Sequence, residues 1–155
     1  MSLRNSLSIL LLTVVLALAG CDNNTVYHHY EQTSVSGWER SDTLLFNVAS
    51  AKSDAVLKEE VELRINNTYP FMGLCLVVEQ TTYPSNVRHI DTLNCQLIDE
   101  EGQTKGDGLN YIQYHFHLTD ISVSEGDSLA IAIHHNMKRE ILPGVVDVGI
   151  RLAKH

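Results

Sequence analysis

Strict alternation of apolar and polar residues constrains this chain more than any other feature of its sequence. In "EVELRI" (Glu60–Ile65), Val61, Leu63 and Ile65 fall on one side of an extended strand, and Glu60, Glu62 and Arg64 on the other. Successive side chains of a strand point to opposite faces, so the pattern predicts a sheet with one buried face. The same period aligns Leu93, Cys95 and Leu97 in "DTLNCQL", and Ile112, Tyr114, Phe116 and Leu118 in "YIQYHFHL". It aligns Leu129, Ile131 and Ile133 in "SLAIAIHH", and Val146, Val148, Ile150 and Leu152 in "VVDVGIRLAK". "GLCLVVEQ" (Gly73–Gln80) is apolar on both faces, as a central strand would be.

The connections "NNTYPF", "TYPSN", "DEEGQTKGDG", "SEGDS" and "LPG" are rich in turn formers. No segment carries a long helical period. "ASAKSDAVLKEE" (Ala49–Glu60) fits one or two helical turns, a wide loop or an early strand start. About seven short strands at this spacing predict an all-β fold, an antiparallel β-sandwich of immunoglobulin-like or jelly-roll-like form. At 155 residues the chain is of single-domain size.

The N-terminus follows a different rule. Arg4 is the only charge in the first 20 residues, and "LSILLLTVVLALA" (Leu7–Ala19) is apolar except for Ser8 and Thr13. A charged start, a short apolar core and small residues at its end read as a secretory signal. The uncharged stretch is shorter than the roughly 20 residues a bilayer-spanning helix needs. "LAGC" (Leu18–Cys21) resembles the lipobox of bacterial lipoproteins, in which the Cys thiol receives a diacylglyceryl group and cleavage leaves the Cys as the first mature residue. Residues 1–20 are therefore expected to be a lipoprotein signal peptide. Residues 21–36 are expected to be the lipidated N-terminus and a polar tether, with His28 and His29 inside it. Residues 37–155 are expected to be the β-sandwich.

Charge narrows the partners. Eleven Lys and Arg against nineteen Asp and Glu give a formal charge of −8, so a nucleic-acid backbone would be repelled. The lipobox makes the lipid bilayer, reached through lipidated Cys21, an expected partner.

Catalytic motifs are sparse. No G-x-S-x-G elbow and no P-loop occurs, and "GQTKGDG" lacks the required spacing. Glu59/Glu60 and Glu100/Glu101 are sequence neighbours, which point apart in a strand and so do not form a glycosidase couple. "HFH" places His115 and His117 on one outward face. A hairpin pairing Leu118 with Leu129 would bring His134 opposite Gln113, so that His115, His117 and His134 form a candidate zinc site. No acidic residue in this pattern orients the imidazoles, and solvent-facing residues of a sheet are the favoured reading. No cofactor is expected.

Cys75 and Cys95 remain once Cys21 is acylated. They are either a disulfide formed in an oxidising periplasm or two free thiols. Asp42-Thr43-Leu44, Asp91-Thr92-Leu93 and Asp127-Ser128-Leu129 resemble the Asp-Ser/Thr-aliphatic site O-glycosylated on exported Bacteroidetes proteins. Thr43, Thr92 and Ser128 are the candidate acceptors. A polar residue leading into an apolar strand produces the same string.

A series of segments resembles the gliding-motility-associated lipoprotein family GldH of the Bacteroidetes. They are "SGW" (Ser36–Trp38), "LRINNTYPFMGLCL" (Leu63–Leu76), "DTLNCQLIDEEGQTKGDG" (Asp91–Gly108) and "MKREILPGVVDVGIRL" (Met137–Leu152). The resemblance covers nearly all of the mature chain in the same order. It departs at Thr104, where the family pattern has Trp, and at His135, where it has Gln. The resemblance implies a non-enzymatic lipoprotein serving gliding motility or the associated secretion machinery, with no catalytic residues to carry over. A sandwich that binds glycans or peptides through exposed loops is the alternative. Asp22 after the Cys holds enteric lipoproteins in the inner membrane. The tether lacks the acidic cluster that resembles a surface-display signal in the Bacteroidetes. A periplasm-facing anchor is expected, with the outer membrane favoured over the inner.

Overall fold

The structure is a computed structural model and describes residues 24–155. The signal region and Cys21 lie outside the described residues. Ten strands occur: β1 (Thr25–Gln32), β2 (Trp38–Glu39), β3 (Leu44–Val48), β4 (Ala55–Ile65), β5 (Gly73–Tyr83), β6 (Val87–Gln96), β7 (Ile112–Val123), β8 (Ser128–His135), β9 (Ile141–Leu142) and β10 (Val145–Lys154). One four-stranded sheet runs β1-β10-β4-β7, a second runs β3-β8-β5-β6, and β2 pairs with β9. Every pairing is antiparallel.

The alternation sets what lies between the sheets. Val61 and Leu63 of β4, Leu76 and Val78 of β5, Ile133 of β8 and Val148, Ile150 and Leu152 of β10 are fully buried. Each such side chain contributes about 1.5–3 kcal/mol relative to leaving it in water. β5 lies between β8 and β6, the interior position its two apolar faces call for.

Three expectations are corrected. The tether assigned to residues 22–36 does not hold at Thr25–Gln32, which forms β1 and pairs along β10 from Thr25↔Ala153 to Gln32↔Asp147. "TVYHHYEQ" is rich in β-formers, and its pairing with β10 supplies the backbone partners a tether would leave to water. Of the readings left open for Ala49–Glu60, the early strand start holds, with β4 beginning at Ala55. Val146 does not face the core, because an irregularity in the β10–β4 register between Val145 and Asp147 leaves Val145 as the buried residue.

The third correction concerns β7 and β8. They are not a hairpin: β7 pairs with β4, and β8 pairs with β3 and β5. Ser124–Asp127 carries the chain from one sheet to the other, with Asp127 N donating to Ser124 O at 3.0 Å. The inward rows of β7 and β8 therefore lie on opposite sides of the core. An alternating pattern specifies which face is buried, and it is silent on which strand is the neighbour.

The connections collect at two ends. Thr25, Lys154 and residues 49–54, 84–86 and 124–127 share one end, fixed by the pairs Thr25↔Ala153, Ala55↔Val123, Val48↔Leu129 and Tyr83↔Ser128. Residues 33–37, 66–72, 97–111 and 136–140 lie at the other. There Trp38 is fully buried, its Nε1 donates to Asp42 O at 3.0 Å, and its ring meets His135 edge-on. Gly144 permits the close approach at this end: its φ is 84°, and a Cβ there would lie 2.4 Å from Tyr69 N.

Candidate functional site

The outer face of the β1-β10-β4-β7 sheet carries the densest polar cluster. One row across it reads Tyr30, Gly149, Glu62, His115, and the next reads His28, Arg151, Glu60, His117. Glu62 is buried beneath its neighbours. Its Oε2 accepts from the Tyr30 hydroxyl and lies 2.9 Å from His28 Nε2, and its Oε1 lies 3.2 Å from His115 Nδ1. Gln113 Nε2 donates to the Tyr30 hydroxyl at 3.0 Å, and the Arg64 guanidinium sits 4.0 Å above the Tyr30 ring. Burial pushes the Glu62 carboxyl up, but the hydrogen bonds from Tyr30 and His28 and the nearby imidazoles outweigh it, holding the pKa below its ordinary value. A carboxylate engaged on both oxygens ties three strands together and keeps no free face for a substrate.

This cluster replaces the zinc site suggested by the sequence. His115 faces outward and contacts Glu62, so an acidic partner is present. His117 lies beside Asp120, at 3.6 Å, and His155 reaches the same carboxylate at 3.1 Å. His134 stands on the outer face of the other sheet, opposite Val77, and meets neither His115 nor His117. Among the described residues no group of three or more His, Cys, Asp or Glu is arranged to hold a metal ion. Tyr30 and His28 were missed because residues 22–36 read as a tether. The β-forming run from Thr25 to Tyr30 was the available signal.

A second polar site lies between the sheets. Glu59 and Glu60 point apart, as strand neighbours must: Glu60 pairs with Arg151 at 3.0 Å and Lys58 at 2.7 Å, whereas Glu59 faces inward with no exposure. Gln80 Nε2 donates to Glu59 Oε2, and Glu59 Oε1 has no hydrogen-bond partner. Burial first, and the nearby Asp91 charge second, push the Glu59 carboxyl up to about 8 against the Gln80 hydrogen bond. Gln80, Asp91, His89 and Thr119 line a cleft of about 470 Å³ between the edges of β6 and β7. A carboxyl held protonated in this way can donate a proton, and Gln80 and Asp91 are polar groups beside it.

The remaining candidates are dispersed. Cys75 and Cys95 are both free thiols. Cys95 stands opposite Leu74 and Cys75 opposite Asn94, so their side chains leave the sheet on opposite faces, a geometry no disulfide bridges. Burial first, and Cys75 second, raise the Cys95 thiol to about 12. Thr43 and Thr92 are exposed, and Ser128 is half-buried at the start of β8.

A family model described as GldH lipoprotein matches residues 25–152, the whole of the sandwich from β1 through most of β10. The chain belongs to the GldH lipoprotein family. It is 31% identical to the gliding motility lipoprotein GldH of Flavobacterium johnsoniae, over 98% of each chain. It is 25% identical to a GldH homolog of Christiangramia forsetii, over 96% of this chain and 95% of that one. Among solved structures, a GH115 4-O-methyl-α-glucuronidase specific for decorated arabinogalactans aligns over 87% of this chain and 18% of its own, at 14% identity and a TM-score of 0.47. GldH is a family of gliding motility lipoproteins and is not a known enzyme family.

Thr104 and His135 both have partners within the fold. The Thr104 hydroxyl meets the Tyr114 hydroxyl at 2.9 Å. His135 is fully buried against Trp38, with its Nε2 3.2 Å from the Trp38 carbonyl oxygen. Burial is the leading influence on its imidazole and lowers the pKa, favouring the neutral ring.

Proposed function

We propose that this GldH-family protein is a non-enzymatic accessory component of gliding motility or of the associated protein-secretion machinery. It is anchored in the cell envelope through acylated Cys21 and faces the periplasm, with the outer membrane favoured over the inner. The observation that carries this reading is the family match over the whole sandwich, joined to the "LAGC" lipobox immediately upstream. The sandwich then serves as a rigid body that presents loops to envelope proteins. The paired Glu62 cluster supports this role, because its charges brace strands.

Deletion of the gene in a host that glides tests the proposal. Colony spreading and the amount of secreted protein are both expected to fall. A deletion strain that spreads and secretes at wild-type levels would rule the reading out.

A further inference from the structure

The position of β1 determines how an acylated chain meets its membrane. Hydrogen bonding of the sandwich begins at Asn24, whose carbonyl accepts from Lys154 N at 2.8 Å. Cys21 precedes Asn24 by three residues, and three residues span at most about 10–11 Å when fully extended. A lipid on Cys21 therefore leaves no room for a spacer. The end of the sandwich that carries Thr25 is held at the bilayer surface, within reach of the headgroups.

That end bears an apolar cleft of about 370 Å³. Tyr27 of β1, Val48 of β3, Ala51, Leu57 of β4, Val123 of β7 and Leu129 of β8 form its walls. Lys52 and Lys154, both exposed, border it, and neither has an ion-pair partner among the described residues. The carboxylates Asp54, Asp127 and Glu125 share this end: Asp54 accepts from Glu125 N at 2.8 Å, Asp127 at the cleft accepts from Ser124 N at 2.9 Å, and Glu125 is exposed. Val26 and Val56 add partly exposed apolar surface beside the cleft. An apolar opening bordered by two lysines and held beside the lipidated residue fits a bilayer surface, with acyl chains meeting the walls and headgroup phosphates meeting the ammonium groups.

We infer that this cleft and its two lysines form a second, non-covalent contact with the lipid surface, which fixes the orientation of the sandwich on the membrane. The inference rests on the acylation of Cys21 under the proposed function. It adds that residues 49–54 and 124–127 lie against the bilayer, while residues 66–72 and 97–111, at the other end, face away from it and toward protein partners. The acyl chains on Cys21 hold the protein at the bilayer without setting its angle, and a second contact of this kind fixes that angle.

Hydrogen–deuterium exchange of the full mature chain tests this. Acylated protein is inserted in phosphatidylethanolamine–phosphatidylglycerol vesicles and compared with the Cys21→Ser chain in solution, with the acyl mass on Cys21 checked beforehand. Amides of residues 49–54 and 124–127 are expected to exchange several-fold more slowly on vesicles, with residues 66–72 and 97–111 unchanged. Acylated protein with no slowing at residues 49–54, or with slowing only at residues 97–111, overturns the inference and leaves the anchor standing. Slowing that appears without vesicles and grows with protein concentration assigns the cleft to a second copy, and also overturns it. A chain without acyl mass on Cys21 overturns the anchor and the inference together.

Discussion

The Tyr30 hydroxyl donates to the Glu62 carboxylate although their strands, β1 and β4, are not paired with each other. β10 lies between them, and the residue under the contact is Gly149. A Cβ at position 149 would stand 2.7 Å from the Tyr30 ring, so a glycine is what lets the ring lie across the strand. Tyr30→Phe removes a hydrogen bond to a charged acceptor and is expected to lower the unfolding free energy by about 1.5–3 kcal/mol. Gly149→Ala is also expected to destabilise, because the ring must shift. Urea denaturation measures both. Variants as stable as the parent would mean that the cluster does not brace the sheet.

Glu59 gives stability a distinctive pH dependence. Its carboxyl titrates near 8 in the folded protein, against 4.5 ordinarily. Between those values the native state keeps a proton that the unfolded chain has released. Stability therefore falls as pH rises through the window, at up to about 1.4 kcal/mol per pH unit from this group. His135 acts in the opposite sense, since its lowered pKa contributes stability above its ordinary value that is lost as pH falls. The Glu59→Gln variant isolates the Glu59 contribution. Its stability relative to the parent is expected to increase steadily from about pH 5 to about pH 8, as read from thermal melts. A constant difference across that range would show that Glu59 is ionised in the fold.

The two cysteines should differ sharply toward thiol reagents. The thiolate is the reactive form, and the buried Cys95 thiol is held near 12, whereas Cys75 is half-buried. In the native protein iodoacetamide is expected to modify Cys75 first and Cys95 only after unfolding, as peptide mass spectrometry resolves. Intact mass should show no disulfide between them. Equal labelling rates, or a Cys75–Cys95 bridge, would contradict the register of β5 and β6.

Much of this fold was legible because burial follows strand parity. The inward rows of β4, β5 and β8 were readable, since Val61, Leu63, Leu76, Ile131 and Ile133 alternate with polar or half-buried neighbours. Pairing partners were not readable. Phe116 and Ile131 match equally well side by side in one sheet or facing across two, and only the path of Ser124–Asp127 separates those cases. β1 was hidden by its polarity: His28, Tyr30 and Gln32 lie on an outer face that needs no apolar residues. Glu62 looked like an ordinary solvent-facing residue of "EVELRI", because nothing local shows that three side chains from distant strands close over it.

Exposure separates the three candidate glycosylation sites. Thr43 and Thr92 present their hydroxyls to solvent, while Ser128 is half-buried at the cross-over into β8. If the Asp-Ser/Thr-aliphatic strings are used, protein isolated from its native host should carry added mass at Thr43 and Thr92 and little at Ser128. Thr92→Ala should then remove one increment. An unmodified intact mass would leave these strings as polar entries to apolar strands.

Complementation of the deletion strain with a Cys21→Ala chain tests the central claim most directly, because it separates the anchor from the sandwich. The wild-type gene is expected to restore spreading and secretion and to place the protein in the outer-membrane fraction. The Cys21→Ala chain, with its sandwich intact, is expected to restore neither and to leave that fraction. Full restoration by Cys21→Ala, with the protein still in the membrane, would contradict the account.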